Sequence, residues 1–383
     1  MFIRVLSYRA SSIAAKFVRY WQEELTNVSR RRHTFAGQLT IKRLAMKKLF
    51  LWLPFAALLI QACSNDFDLV TDWKEVPVVY AIITPKNSVN YIRVEKAFLD
   101  PVTSAVQIAQ IADSLYYPAN AIGVFLEEVG SSNKLALTRV DGNLEGIVRE
   151  GGIFATQPNW LYKTTEPILP EKTYRLRIIR NDGQPDITAE TTIPGDFLIT
   201  TPSPSQSPVR IGFQREKATA LSWRTDENGV YFNVKFHIRY SEYALNGAFI
   251  QRDTLLWTPI PNVRRTDIKV SDKYYKCDAT VNTTSFFNFL VANLPVVQDR
   301  FRKFDGVDMY FEGGGKEIER YLETATANSG VTGAELVSSY TNLSEGFGIF
   351  TAKNTKILPN VQITAETITE LNKQSPERDL NFQ

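Results

Sequence analysis

The stretch Val230-Tyr231-Phe232-Asn233-Val234-Lys235-Phe236-His237-Ile238-Arg239-Tyr240 decides the fold. Every even-numbered residue in it is apolar or aromatic, and from Asn233 to Arg239 every odd-numbered one is polar. Side chains of an extended chain point alternately to opposite sides, so a period of two predicts a long strand. Val230, Phe232, Val234, Phe236, Ile238 and Tyr240 form its buried face, and Asn233, Lys235, His237 and Arg239 its wet face. A helix would scatter the same residues around a cylinder and bury nothing coherent.

Working outward, the same alternation predicts strands over 78–83, 91–98, 122–128, 134–140, 173–180, 219–224, 308–312 and 346–352. Helical spacing is confined to 104–112, 286–292 and 316–327. Asn181-Asp182-Gly183 and Asp226-Glu227-Asn228-Gly229 end in glycine after Asn or Asp, the composition that supplies a positive φ in tight reversals. Between the two halves runs Thr200-Thr201-Pro202-Ser203-Pro204-Ser205-Gln206-Ser207-Pro208, too poor in backbone donors for a sheet interior and expected to be a linker.

Ile168-Leu169-Pro170-Glu171-Lys172-Thr173-Tyr174-Arg175-Leu176-Arg177-Ile178 resembles the corner of fibronectin-III and related immunoglobulin-like sandwiches. The resemblance implies a strand whose Tyr174 hydroxyl bonds back to the corner, with Leu176 and Ile178 inward and Arg175 and Arg177 outward. Trp223, the turn at 226–229 and the long strand after it resemble the same modules. The expected fold class is all-β: two tandem immunoglobulin-like or fibronectin-III-like β-sandwich domains with a few short helices, at 76–199 and 209–383, joined by 200–208.

Met46-Lys47-Lys48, the apolar run from Leu49 to Ile60 and the small Ala62 before Cys63 compose an export signal. The apolar run, with Pro54 inside it, is shorter than the roughly 20 residues a transmembrane helix needs. Ile60-Gln61-Ala62-Cys63 resembles the lipobox of bacterial lipoproteins, which implies cleavage before Cys63 and acylation of its sulfur. Residues 46–62 are then the signal peptide and 63–75 an acidic tether. Met46 begins a complete signal, so residues 1–45 are expected to be an upstream extension from a misplaced start codon. Ser64 after the cysteine fits outer-membrane sorting, and Asp66 and Asp68 fit exposure at the cell surface.

Residues 1–62 carry 11 Lys and Arg against 2 Asp and Glu, leaving 33 basic and 39 acidic residues from 63 onward: a formal charge of −6 where the whole chain has +3. A net-negative chain without a basic stripe excludes nucleic acid as a partner. Once Cys63 is acylated only Cys277 remains, so no intrachain disulfide forms and packing must hold the fold.

Catalytic constellations are sparse. Of the two histidines, His33 lies in the upstream extension and His237 on a wet strand face. No HExxH, paired CxxC or His/Cys cluster is present, so no zinc site and no cofactor are expected. Gly313-Gly314-Gly315-Lys316 lacks the Ser or Thr of a phosphate loop, Glu317 standing there instead, and reads as a turn from strand to helix. Asp305, Asp308 and Glu312 are weak candidates for calcium ligands or for the carboxylates of a glycan hydrolase. Trp73, Trp160 and Trp257, expected in or near loops, are candidate binding residues for a glycan or a protein partner.

Pro77-Val78-Val79-Tyr80-Ala81-Ile82-Ile83, the stretch Asn90 to Leu99 and Tyr340 to Phe350 resemble uncharacterised Bacteroidota outer-membrane lipoproteins, often encoded beside TonB-dependent receptors. That resemblance implies an envelope protein of unknown activity and transfers no site residues; with catalytic constellations sparse, the chain is expected to be membrane-anchored and to act by binding, with no catalysis. Its expected partner is an outer-membrane receptor. The alternative is a fimbrial or adhesin subunit that assembles by strand addition.

Overall fold

The computed structural model describes residues 75–97, 104–327 and 340–383. Cys63, its export signal, the tether and Trp73 lie outside them. The described strands in chain order are β1 (Val76–Ile83), β2 (Asn90–Ala97), β3 (Ile122–Glu128), β4 (Lys134–Ala136), β5 (Thr138–Asp141), β6 (Trp160–Thr164), β7 (Thr173–Arg180) and β8 (Ile187–Thr192). They continue as β9 (Leu198–Thr201), β10 (Arg210–Ile211), β11 (Ala218–Thr225), β12 (Tyr231–Ala244), β13 (Phe249–Arg264), β14 (Tyr275–Asn282), β15 (Arg300–Gly314) and β16 (Phe347–Ile363). The helices are α1 (Ala105–Ala109), α2 (Ala112–Leu115), α3 (Thr283–Asn293), α4 (Lys316–Ala327) and α5 (Ala365–Leu371). The protein is all-β.

Contacts divide the chain into two compact units. Of the first, residues 104–110 and 150–155 are described, and the Ala155 N–H donates to the Ala109 carbonyl at 2.8 Å, tying α1 to the second segment. Apart from Gly151, everything that follows belongs to the second unit.

Three sheets are present among the described residues: a large one ordered β13-β12-β15-β16-β1-β2-β6-β5, with β10 beside β16, and two smaller ones, β4-β3-β7-β8 and β14-β11-β9. One end of the large sheet packs on the four-stranded sheet, joining Val79, Ala81, Ile83, Ile92 and Val94 to Val124, Leu126, Leu176 and Ile178 in one core. Its other end packs on the three-stranded sheet and α3 around Phe232, Val234, Phe236, Phe311, Trp223, Cys277 and Phe286. Phe232, Val234, Phe236, Ile238 and Tyr240 enter this second core, as the alternation predicts; Val230 is half-buried and precedes the strand, which runs on to Ala244.

The division expected at 200–208 is more entangled. Core residues change allegiance between Ile193 and Phe197, but β16 belongs to both sandwiches: Phe350 and Ala352 fill the first core, Leu358 and Val361 the second. It does so by pairing in parallel with β1 over Val78–Ile83 while pairing antiparallel with β15. The linker itself opens in strand β9, which pairs with β11. Parallel pairing of strands from opposite ends of a chain leaves no mark in local periodicity.

Other departures have local causes. The strand expected over 134–140 is two, because the chain changes sheets at Leu137: β4 pairs with β3, β5 with β6. Leu137 itself is buried at this corner. Gly183 has φ +79°, as its turn requires, whereas Gly229 has no positive φ. Gly229 serves space: a Cβ there would lie 2.0 Å from Thr225 Oγ1. β13 was not expected at all, since Pro259 and Pro261 interrupt it; it is the edge strand of the large sheet, where proline is tolerated.

Tyr174 forms the expected corner, its hydroxyl accepting from the Leu169 N–H at 3.0 Å while Leu176 and Ile178 are fully buried. Tyr174→Phe leaves that N–H without its partner. We expect a loss of about 1 kcal/mol, read as a lower urea midpoint at unchanged m-value.

Candidate functional site

The outer face of the large sheet, turned away from both cores, gathers the carboxylates singled out in the sequence. In β12, β15 and β16 the odd or even positions that do not enter the core place Lys235, His237 and Arg239, then Asp308, Tyr310 and Glu312, then Lys353, Thr355 and Ile357 on one side. Glu312 is shared by Lys235 and Lys353, the latter at 3.8 Å. Asp308 accepts from the Asn360 N–H at 2.8 Å and lies 3.2 Å from Arg239 Nε. Asp305, on the β15 bulge, takes Arg252 at 2.8 Å and the Ser241 hydroxyl at 2.6 Å.

The three candidate calcium ligands therefore each face cations of their own. Asp308 and Glu312 share a face, as expected, but four residues of strand separate them by about 13 Å. That is too far for one ion. Among the described residues no cluster of three or more His, Cys, Asp or Glu side chains could hold a metal. His237 sits opposite Asp308 with its ring 4.2 Å from that of Tyr310. Burial holds its imidazole below the ordinary value, against the pull of Asp308. Cys277 is fully buried, and burial pushes its thiol up to about 12, which leaves it inert.

The tryptophans separate. Trp257 is a correction: it is not in a loop but inside β13, 9% exposed, stacked on Phe289 at 5.4 Å and edge-on to Phe236. Its indole is core, with no open face for a ligand. Trp160 opens β6, half-buried, with the Arg139 guanidinium 4.5 Å over its ring.

Two cavities bear polar groups that sequence patterning did not single out. The smaller, about 280 Å³, lies beside the start of α4; the turn expected at Gly313-Gly314-Gly315 is Gly315 alone, because Gly313 and Gly314 belong to β15 and pair with β12 and β16. Burial raises the carboxyls of Glu317 and Glu319 there; Glu317 accepts from the Thr191 hydroxyl at 3.1 Å, and Arg264 meets Glu319 at 2.5 Å.

The larger, about 530 Å³, lies where β12, β13 and β15 run past the core and the loop after α3 comes back over them. Its floor is an ion pair between Glu242, 3% exposed, and Arg302, fully buried. Arg302 Nε donates to Glu242 Oε1 at 2.8 Å, and its Nη1 donates to the carbonyls of Pro295 and Leu380. Arg300 Nη1 and Gln251 Nε2 donate to the other Glu242 oxygen at 3.1 and 3.0 Å. Burial pushes the Glu242 carboxyl up, but the hydrogen bonds from Arg302 and Arg300 outweigh it and hold it below the ordinary range. One local signal was available: after Tyr240 the alternation stops, and Ser241 and Glu242 are both buried.

No protein-family model matches the chain, and no curated protein matches it. What the structure defines is a class of architecture: an all-β protein of two sandwiches that share one large sheet, with its charged residues paired across the outer face.

Proposed function

We propose that the protein is a lipid-anchored component of the outer membrane, facing the cell surface, that works by binding as the accessory partner of an outer-membrane receptor of the TonB-dependent kind. The observation that carries this is the apolar run closing on Ile60-Gln61-Ala62-Cys63. Strand β1 starts 13 residues after that cysteine, and a chain of that length spans at most about 45 Å. An acylated Cys63 would thus hold the sheets close to the bilayer and raise their effective concentration toward a membrane partner. Pairing of Asp305, Asp308 and Glu312 with separate cations supports a binding role over the hydrolase alternative.

Cys63→Ser should move the protein from the membrane fraction to the soluble fraction and abolish incorporation of labelled palmitate. Mild detergent extracts of wild-type cells should contain a receptor barrel in one-to-one ratio with this chain. A native Cys63 carrying a free thiol would overturn the anchor, and extracts without such a barrel would overturn the receptor role.

Edge strand β13 supports the adhesin alternative. Residues 249–254 are exposed and have no neighbour on their open side within the sheet, although Pro259 and Pro261 blunt its second half. An SDS-resistant ladder of this chain alone would favour strand addition.

A further inference from the structure

We infer that the open edge of β13 pairs antiparallel with β13 of a second copy of this chain, about a two-fold axis through Thr254. The inference rests on the same edge as the adhesin alternative and goes beyond it. Both copies use one edge, so assembly closes at two and builds no filament.

Natural sheets shield their edges with prolines, bulges, charges or covering elements. Pro259 and Pro261 shield the second half of β13, and among the described residues no strand pairs with its open side. Ahead of the prolines the strand leaves Phe249 58%, Ile250 43% and Leu256 56% exposed. Backbone donors are available there too. The Thr254 N–H donates at 2.7 Å to the side chain of Asp253, its neighbour in the chain, which marks it as a donor on the open side. In an antiparallel ladder such donors recur at every second residue.

Charge and symmetry select the occupant. The free stretch 249–258 carries one cation, Arg252, and one anion, Asp253, so a second copy meets no net repulsion. A two-fold axis through the sheet sets outer-face residues opposite outer-face residues, and side chains alternate, so it passes through a residue and not between two. Through Arg252 or Asp253 it would bring like charges face to face. Through Thr254 it sets threonine against threonine, a favourable cross-strand pair. Arg252 and Leu256, beside Ser241 and His237 of β12, share the outer face. The Arg252 stem then covers Leu256 of the second copy while its guanidinium stays with Asp305 at 2.8 Å. Strand β1 begins at the far end of the sheet from the turn between β12 and β13, so the tether enters away from this edge.

Sedimentation equilibrium of the purified full chain in mild detergent, free of any receptor, should show monomer and dimer with no larger species. Thr254→Pro removes one outward N–H and should weaken the dimer at least tenfold at an unchanged melting temperature, since proline is tolerated where the N–H faces away from the sheet. Thr254→Cys should cross-link to itself through a short bis-maleimide, whereas Asp182→Cys, in the turn after β7, should not; Cys277 is fully buried and does not compete. A chain that stays monomeric, a ladder beyond two, or a Thr254→Pro protein that dimerises as tightly as wild type overturns the inference. Should Thr254→Pro melt early, absence of the Thr254→Cys cross-link overturns it instead. A ladder would leave the strand-addition alternative standing, and neither measurement depends on the anchor or the receptor.

Discussion

Gly348→Ala should cost about 3–5 kcal/mol and come close to unfolding the protein, since the strain of an unfavourable backbone and overpacking add at one residue. Gly348 has φ +102°, a conformation that side chains with a Cβ rarely adopt. An added Cβ would lie 1.9 Å from the Val79 carbonyl oxygen. Val79 is the residue that Gly348 faces in the parallel β1–β16 register, so no flexible side chain can move aside. The clash falls on the strand that both sandwiches share. Calorimetry or urea unfolding should show both cores losing stability together, whereas Gly151→Ala, with nothing within 4 Å of its added Cβ, should stay within about 0.5 kcal/mol of wild type. A Gly348→Ala protein as stable as wild type would mean that β16 does not pair with β1 in this register.

Glu242→Ala should cost about 3–5 kcal/mol, because truncating one partner of a buried ion pair leaves the other charge uncompensated. Here that charge is Arg302, fully buried and already lacking a partner for Nη2. Replacing both, Glu242→Leu with Arg302→Met, removes the stranded charge and should recover part of the loss. Recovery stays incomplete because the carbonyls of Pro295 and Leu380 lose their Arg302 donor. The same pair sets a pH dependence. The Glu242 carboxyl is held down in the folded protein, so its contribution is complete above the unfolded carboxylate value of about 4.3. It is lost as pH falls through the lower folded value. Wild type should therefore lose stability on acidification more steeply than the double variant, and parallel pH profiles of the two would show that the pair does not contribute.

How much of this was legible depends on how local each cause is. β3 and β7 have the bounds their alternation predicts, and α4 begins and ends where helical spacing does. The Asn282 side chain accepts from the Thr284 N–H and opens α3 three residues ahead of the stretch whose spacing is helical. β13 was hidden by its prolines and β14 by polar residues on its exposed face, for both lie where little of the strand enters a core. The placement of Trp257 followed from missing β13: an indole beside Pro259 and Pro261 looks like a loop residue until a sheet edge and α3 close around it.

Patterning along the chain established the all-β class, the inward face of 232–240 and the Tyr174 corner. These depend on neighbours within a few residues, where side-chain period, turn residues and apolar runs act directly. The sharing of β16, the pairing of Asp305, Asp308 and Glu312 with separate cations, and the meeting of Glu242 with Arg302 came from folding alone. Each joins residues dozens to hundreds of positions apart, and such partners are chosen by the packing of whole sheets, which no short window of sequence contains.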